Sequence, residues 1–326
     1  MDLISHMTLL GGTAKKASIV ERCGARVVRR ALREGTLIRV ARGRYALPSA
    51  GVAVLAAARF GGIVSMRSAA QRHGWGLRKV PDLPDVTFPR THHLGRGARR
   101  FLVPHWSDIE PEDIDRGTTS KRRTLIDCMR NLPLEDAVAI VDSAVRAGDV
   151  TPSELRALAA SMRGRGRTRA MEVAAMATAA AANPYESTVR AIASTVPGLA
   201  VRPQVPIRVH GRVLHPDLLD DELGIVIEAE SFAWHGDRTA LTRDCARYNA
   251  FETAGLIVVR FSWEQVMFTP AYVVAVLVAA VARARRHANV GGGRRGSPKS
   301  SARDIRMRDR PVRRAADPTQ PKRPEM

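Results

Sequence analysis

The chain has 326 residues, enough for two or three compact domains, with 45% hydrophobic residues and a formal net charge of +20. Its three cysteines, Cys23, Cys128 and Cys245, lie far apart without CxxC spacing, which argues against a disulfide framework and a zinc site. The N-terminus has no basic region followed by a long apolar core, and the apolar run 272–282 is too short to span a bilayer. A soluble, cytoplasmic protein with no membrane partner is expected.

Lys and Arg outnumber Asp and Glu by 52 to 32, which implies an anionic partner, nucleic acid before membrane. Residues 287–326 contribute about +7 of that excess, with eleven basic side chains against four acids, and are otherwise Gly, Pro and Ser with few large apolar groups. They predict a disordered basic tail, unable to offset its ordering entropy. The preference for Arg over Lys suits phosphate contacts but also follows from GC-rich coding.

Residues 1–50 contain a short helix in "KASIVERCG", a break at Gly24 and a second helix in "ARVVRRALREG". Along that second helix Arg26, Arg29, Arg30 and Arg33 recur at i, i+3, i+4 and i+7, while Val28, Ala31 and Leu32 are left to pack inward. "LIRVARGRYAL" then reads as a two-stranded ribbon turning at Gly43. The pattern is a winged helix-turn-helix, with the Arg face in the major groove and Arg39, Arg42 and Arg44 on the wing against phosphate. The alternative is a solvated basic helix on a protein-binding domain. "VVRRALREGTLIRVARGRYALP" resembles the N-terminal winged helix of AbiEi-type antitoxins and related bacterial regulators. That resemblance implies binding to promoter or operator DNA and no catalysis in this part.

Residues 51–182 form a mixed middle region. A helix in "VSMRSAAQRHGWG", strands in "DVTFP" and "RRFLVPHW", and helices in "TSKRRTLIDCMRNLP" and "LEDAVAIVDSAVRAG" are expected. "TPSELRALAASM" opens with a capping box, Thr151 with Glu154. "RGRGRTR", with Arg163, Arg165, Arg167 and Arg169, reads as a flexible basic connector. His92 and His93, in "RTHHLGRG", have no carboxylate or Cys at ligand spacing and read as surface histidines. Nothing here suggests an enzyme.

Residues 183–286 follow the order helix, strands, helix, strand, helix, an α/β or α+β domain. "NPYESTVRAIASTV" starts with Asn183 as N-cap and Pro184 at N1; "VRPQVPIRV", "GRVLHPDLL", "IVIEAE" and "LIVVRFSW" read as strands, and "ALTRDCARYNAFETAG" as a helix closed by Gly255. Alternation puts Val226, Glu228 and Glu230 on one side of their strand, opposite Ile225, Ile227 and Ala229; Val213, His215 and Asp217 share a side of theirs. The link "LLDDELG" is short enough for an antiparallel hairpin that brings Asp217 beside the two glutamates. Converging carboxylates repel unless one takes a proton or a cation sits between them, and Mg2+ is the natural cation.

"HPDLL", "IVIEAESFAWHG" and "LTRDCARYNAFETAGLIVVRFSWEQV", in that order, resemble the restriction-endonuclease-like PD-(D/E)xK superfamily, and within it the very-short-patch-repair endonucleases. The resemblance implies a central mixed sheet flanked by helices and Mg2+-dependent phosphodiester hydrolysis. Asp217 matches the metal-binding Asp, Glu228 and Glu230 the acidic strand, Glu186 an additional acidic position, and His235 the histidine of the repair enzymes. Arg243 and Arg247 fall in the following helix, where they would contact DNA. The superfamily lysine is absent: Glu230 stands in its position, and His235 would act as general acid or base in its place. Plainer readings remain for each residue: Glu186 as a capping glutamate, Asp217 as a turn acid, His235 as a packed loop histidine, Arg243 as a solvated helix residue and Trp263 as core. The expected function is DNA binding coupled to metal-dependent cleavage. The alternative is a non-catalytic regulator or AbiEi-like antitoxin, with a toxin partner and a degenerate nuclease fold.

Overall fold

The computed structural model describes residues 2–230 and 238–291. The architecture is a mixed α/β fold. In the N-terminal unit, α1 (Leu3–Leu9), β1 (Thr13–Lys15), α2 (Lys16–Cys23), α3 (Ala25–Arg33), β2 (Ile38–Ala41) and β3 (Arg44–Ala46) form a helical layer over an antiparallel sheet of order β1-β3-β2. This is the winged-helix topology. Gly24, at φ +83°, permits the tight turn from α2 to α3. Val28 and Ala31 pack with Met7, Ile19, Leu37 and Tyr45, and Leu32 lies partly buried against them, as the spacing predicts. α1 and β1, which lack a clear periodic signal, complete the unit.

The middle region runs α4 (Val52–Phe60), β4 (Ile63–Val64), α5 (Met66–Arg72), β5 (Asp85–Phe88), β6 (Val103–Trp106), β7 (Ile114–Asp115), β8 (Thr118–Thr119), α6 (Lys121–Asn131), α7 (Leu134–Arg146), α8 (Pro152–Ser161) and α9 (Arg167–Met176). Its five-stranded sheet has the order β6-β5-β4-β8-β7. Three of those strands are two-residue pieces, too short to announce themselves by alternation. The helices α5 to α9 pack around Leu125, Met129, Val138, Ile140 and Leu155, and α8 carries the expected capping box. The basic connector is structured rather than flexible: Arg130 donates to the carbonyls of Arg163 and Arg165 at 2.6 and 2.9 Å, and Arg167 already opens α9.

The last region comprises α10 (Pro184–Ala193), β9 (Arg202–Pro203), β10 (Ile207–Val209), β11 (Arg212–Leu214), β12 (Leu218–Asp220), β13 (Ile225–Glu230), α11 (Arg238–Thr253), β14 (Ile257–Ser262), α12 (Trp263–Phe268) and α13 (Pro270–Gly291). A four-stranded mixed sheet, β14-β13-β12-β9, pairs β13 antiparallel to β12 and parallel to β14. Ile225, Ile227, Leu218 and Phe261 face a core shared with α10 and α13, whereas Val226, Leu219 and Phe251 form a second core on the other face. Each large aliphatic or aromatic side chain so buried contributes about 1.5–3 kcal/mol.

Four further expectations are corrected. "VRPQVPIRV" and "GRVLHPDLL" each break into pieces that belong to different sheets, because Pro203, Pro206 and Pro216 cannot donate to a ladder and Gln204 takes a left-handed turn at φ +53°. Val213 and His215 therefore do not lie on one continuous strand with Asp217. Residues 287–291 continue α13, so the helix outlasts the boundary at 286; the remainder of the expected disordered tail, 292–326, lies outside the described residues. Trp263 is not core: it opens α12, is 37% exposed and meets Phe268 edge-on at 5.4 Å. The division at residue 182 is crossed by packing, since Ala191 of α10 belongs to the middle core while Val189 and Ile192 belong to the C-terminal one. Among the described residues, no helix is long and apolar enough to cross a membrane.

Candidate functional site

The acidic residues converge by register. Leu218 pairs with Ile227 across the antiparallel β12 and β13, so Asp217, one residue before β12, reaches Glu228 and Ala229. Its Oδ2 accepts the main-chain N–H of Ala229 at 2.8 Å. The tight acidic turn between the strands is held by Asp220, whose Oδ1 accepts the N–H groups of Glu222 and Leu223.

Glu186 is buried in the first turn of α10, where Asn183 caps the N–H groups of Tyr185 and Glu186. Its carboxylate accepts from the Ala182 N–H at 2.8 Å and from the Asn183 side-chain amide at 2.9 Å. Asn183 caps the helix, but Glu186 takes the N–H of the residue before the cap and not that of Asn183 itself, so the reciprocal capping box is not formed. The Gln204 side-chain amide donates to Glu186 Oε2 at 3.1 Å and to Asp217 Oδ1 at 3.2 Å, while its main-chain N–H donates to the Asp217 carbonyl. One amide therefore ties the helix acid to the sheet acid.

Glu228 is almost fully buried. Arg247 of α11 donates to it at 2.9 Å and to the His215 carbonyl at 2.7 Å. Burial, and then the charge of Asp217, push the Glu228 carboxyl up to about 8 despite that guanidinium. Burial likewise raises Asp217 and Glu186 above the usual carboxylate range. Glu230, farther along the same face, accepts from Arg260 Nε at 3.0 Å and from the Tyr248 hydroxyl, and Arg260 stacks over the Tyr248 ring at 3.9 Å. Glu230 is thereby drawn into a separate ion pair on β14.

Asp217 is thus placed beside Glu228 and tied through Gln204 to Glu186; Glu230 is paired with Arg260 but its charge still acts on Asp217 and Glu228, and His235 lies outside the described residues. Arg247 points into the site, instead of away from it toward a ligand, whereas Arg243, one turn earlier, is exposed. Sequence reasoning missed Gln204, Tyr248 and Arg260. Arg260 was findable as a charge within the apolar alternation of β14. Gln204 carried no signal, because its role depends on a left-handed turn. Among the described residues, no three of His, Cys, Asp and Glu converge as a preformed metal-ligand set.

In the N-terminal unit Arg26, Arg29, Arg30 and Arg33 are all exposed on α3, with Arg30 bonded to Glu34 at 2.7 Å. Arg39 and Arg42 are exposed on the β2–β3 ribbon, while Arg44 is half-buried and turns its guanidinium toward Gly61. Lys15, Lys16, Arg42 and Arg44 line a shallow cleft of about 560 Å³ between α2 and the ribbon turn.

No protein-family model and no curated protein matches the chain. Among solved structures, the crystal structure of the RV2827C protein from Mycobacterium tuberculosis is similar at 17% identity and a TM-score of 0.30, covering 62% of this chain and 82% of that one.

Proposed function

We propose that the protein binds DNA through its winged helix and hydrolyses phosphodiester bonds at the Asp217–Glu228 cluster with Mg2+, in the cytoplasm. The observation that carries this reading is the side-by-side placement of Asp217 and Glu228, two acids whose burial raises the proton affinity of both. Mg2+ needs only one or two protein carboxylates, because it keeps waters and takes substrate phosphate, so this pair fits it without a third ligand. When bound, the ion supplies charge neutralisation and a water of lowered pKa.

The chain's own residues supply the rest. Asp217 and Glu228 would hold the cation, and Gln204 keeps Asp217 and Glu186 in position. Arg247 sets the charge of Glu228, and Glu230 keeps Arg260 at the rim. His235, on the resemblance to the repair enzymes, moves a proton at the attacking water or leaving oxygen. Arg26, Arg29, Arg30 and Arg33 seat α3 on the duplex, with Arg39 and Arg42 on the flanking phosphates.

Titration calorimetry with Mg2+, wild type beside Asp217→Asn, followed by incubation of the same samples with supercoiled and mismatched DNA, tests the reading. Binding and nicking that both vanish in the variant are expected. Absence of both in the wild type overturns it. In that case the second reading stands: a DNA-binding regulator or AbiEi-like antitoxin with a toxin partner, whose nuclease fold is inert. The occupation of Glu228 by Arg247, and Glu230 in place of the lysine, favour that second reading.

A further inference from the structure

A different surface lies on the middle sheet. β6 is an edge strand, bonded only to β5, and holds Pro104, which an edge tolerates. Trp106 at its end is 40% exposed and Phe101, just before its start, is 41% exposed. Each ring already carries a guanidinium: Arg59 lies over Phe101 at 4.8 Å and Arg99 over Trp106 at 5.7 Å. Phe101 also stacks on Phe60 with centroids 6.0 Å apart, and the Trp106 indole N–H donates to the His92 carbonyl at 3.1 Å. Both rings are thus fixed in place while a large part of each stays in solvent.

The loop before β6 adds the exposed Arg90, Arg96 and Arg100, against which Asp108 offers one carboxylate, paired to Arg90 at 3.1 Å. The basic strip continues into the N-terminal unit, because Arg44 and His92 both approach Gly61 at the end of α4. Fixed aromatic rings interleaved with arginines suit unpaired bases, which offer a π-face to each ring and a phosphate to each guanidinium. A duplex hides its base faces from such rings. A lipid surface would have to draw the guanidinium groups over the rings into hydrocarbon with them.

We infer that the rim formed by Phe101, Trp106 and the arginines Arg59, Arg90, Arg96, Arg99 and Arg100 is a binding site for single-stranded nucleic acid, contiguous with the wing and independent of the carboxylate cluster.

The test uses the full chain and fluorescence anisotropy with a short labelled oligodeoxynucleotide of mixed sequence. A matching oligoribonucleotide, the matching duplex, and phosphatidylserine vesicles form parallel arms. Phe101→Leu with Trp106→Leu weakens single-strand binding about tenfold or more and leaves duplex binding unchanged. Arg96→Gln with Arg100→Gln, which leaves the rings in place, also weakens it and lowers its salt dependence. Preference for the ribo- or deoxyribo-strand names the source, and ring dependence in either supports the site. The inference is overturned by equal losses for duplex and single strand, by unchanged single-strand affinity in both double variants, or by ring-dependent binding to vesicles alone.

Discussion

Arg247 on α11 donates to the buried carboxyl of Glu228 on β13 at 2.9 Å, a contact in which the arginine side chain is 30% exposed and the glutamate side chain 3% exposed. The cation therefore sits on the solvent side of the acid. Without it Glu228 would be a buried acid beside Asp217 with no neutralising charge, and even with it the carboxyl stays protonated near neutral pH.

A pH dependence of stability follows. The unfolded Glu228 titrates near 4.5 and the folded one near 8, so between those values the folded chain holds the extra proton. Stability from this group is full below about pH 4.5, falls as pH rises through 8 and is constant above, a span of about a few kcal/mol. Thermal unfolding across that range should show a declining midpoint, and Glu228→Gln should flatten the decline.

Mg2+ affinity should move the opposite way. A cation at Glu228 must displace its proton, so apparent affinity increases from pH 7 to 9, by up to about tenfold per pH unit below the carboxyl's own pKa. Calorimetry in two buffers of different ionisation enthalpy would count the released proton. A pH-independent affinity would remove Glu228 from the ligand set.

The Arg190–Asp142 pair joins α10 to α7 at 2.7 Å, with both side chains buried and Asp142 also accepting the Thr178 N–H at 2.9 Å. Arg190→Met leaves an unpaired buried carboxylate and should cost about 3–5 kcal/mol in denaturant unfolding. Because α10 contributes to two cores, the loss should appear in one cooperative transition spanning the middle and C-terminal regions.

At Gly11 the backbone has φ +81°, and an added Cβ would lie 2.3 Å from the Arg116 carbonyl oxygen. Gly11→Ala should destabilise the junction of the winged helix with the β7–β8 turn by about 1–3 kcal/mol or more. Hydrogen exchange localised to residues 2–50 and to that turn would register it.

On α3, replacing Arg26, Arg29 and Arg33 by Ala should weaken duplex binding across sequences and reduce the salt slope by about one for each phosphate left without its arginine. Arg30→Ala should do less, since Glu34 already takes part of its charge. Anisotropy at several salt concentrations gives the slopes.

Local pattern carried much of this protein. The arginine face of α3, the capping box of α8, the alternation that sends Glu228 one way and Ile227 the other, and the short acidic turn that returns Asp217 to Glu228 are all properties of neighbouring residues, and period and turn chemistry act at that range. Tertiary structure decided what depends on distant partners. It broke two apparent strands at prolines into separate sheets, assigned α10 to two cores, and turned Arg247 inward. It also brought Gln204 from a left-handed turn to join Glu186 with Asp217, residues 31 positions apart in the sequence. No spacing rule encodes that bridge, because it exists only once a helix, a turn and a sheet have packed and left a buried and a half-buried acid in need of a shared donor.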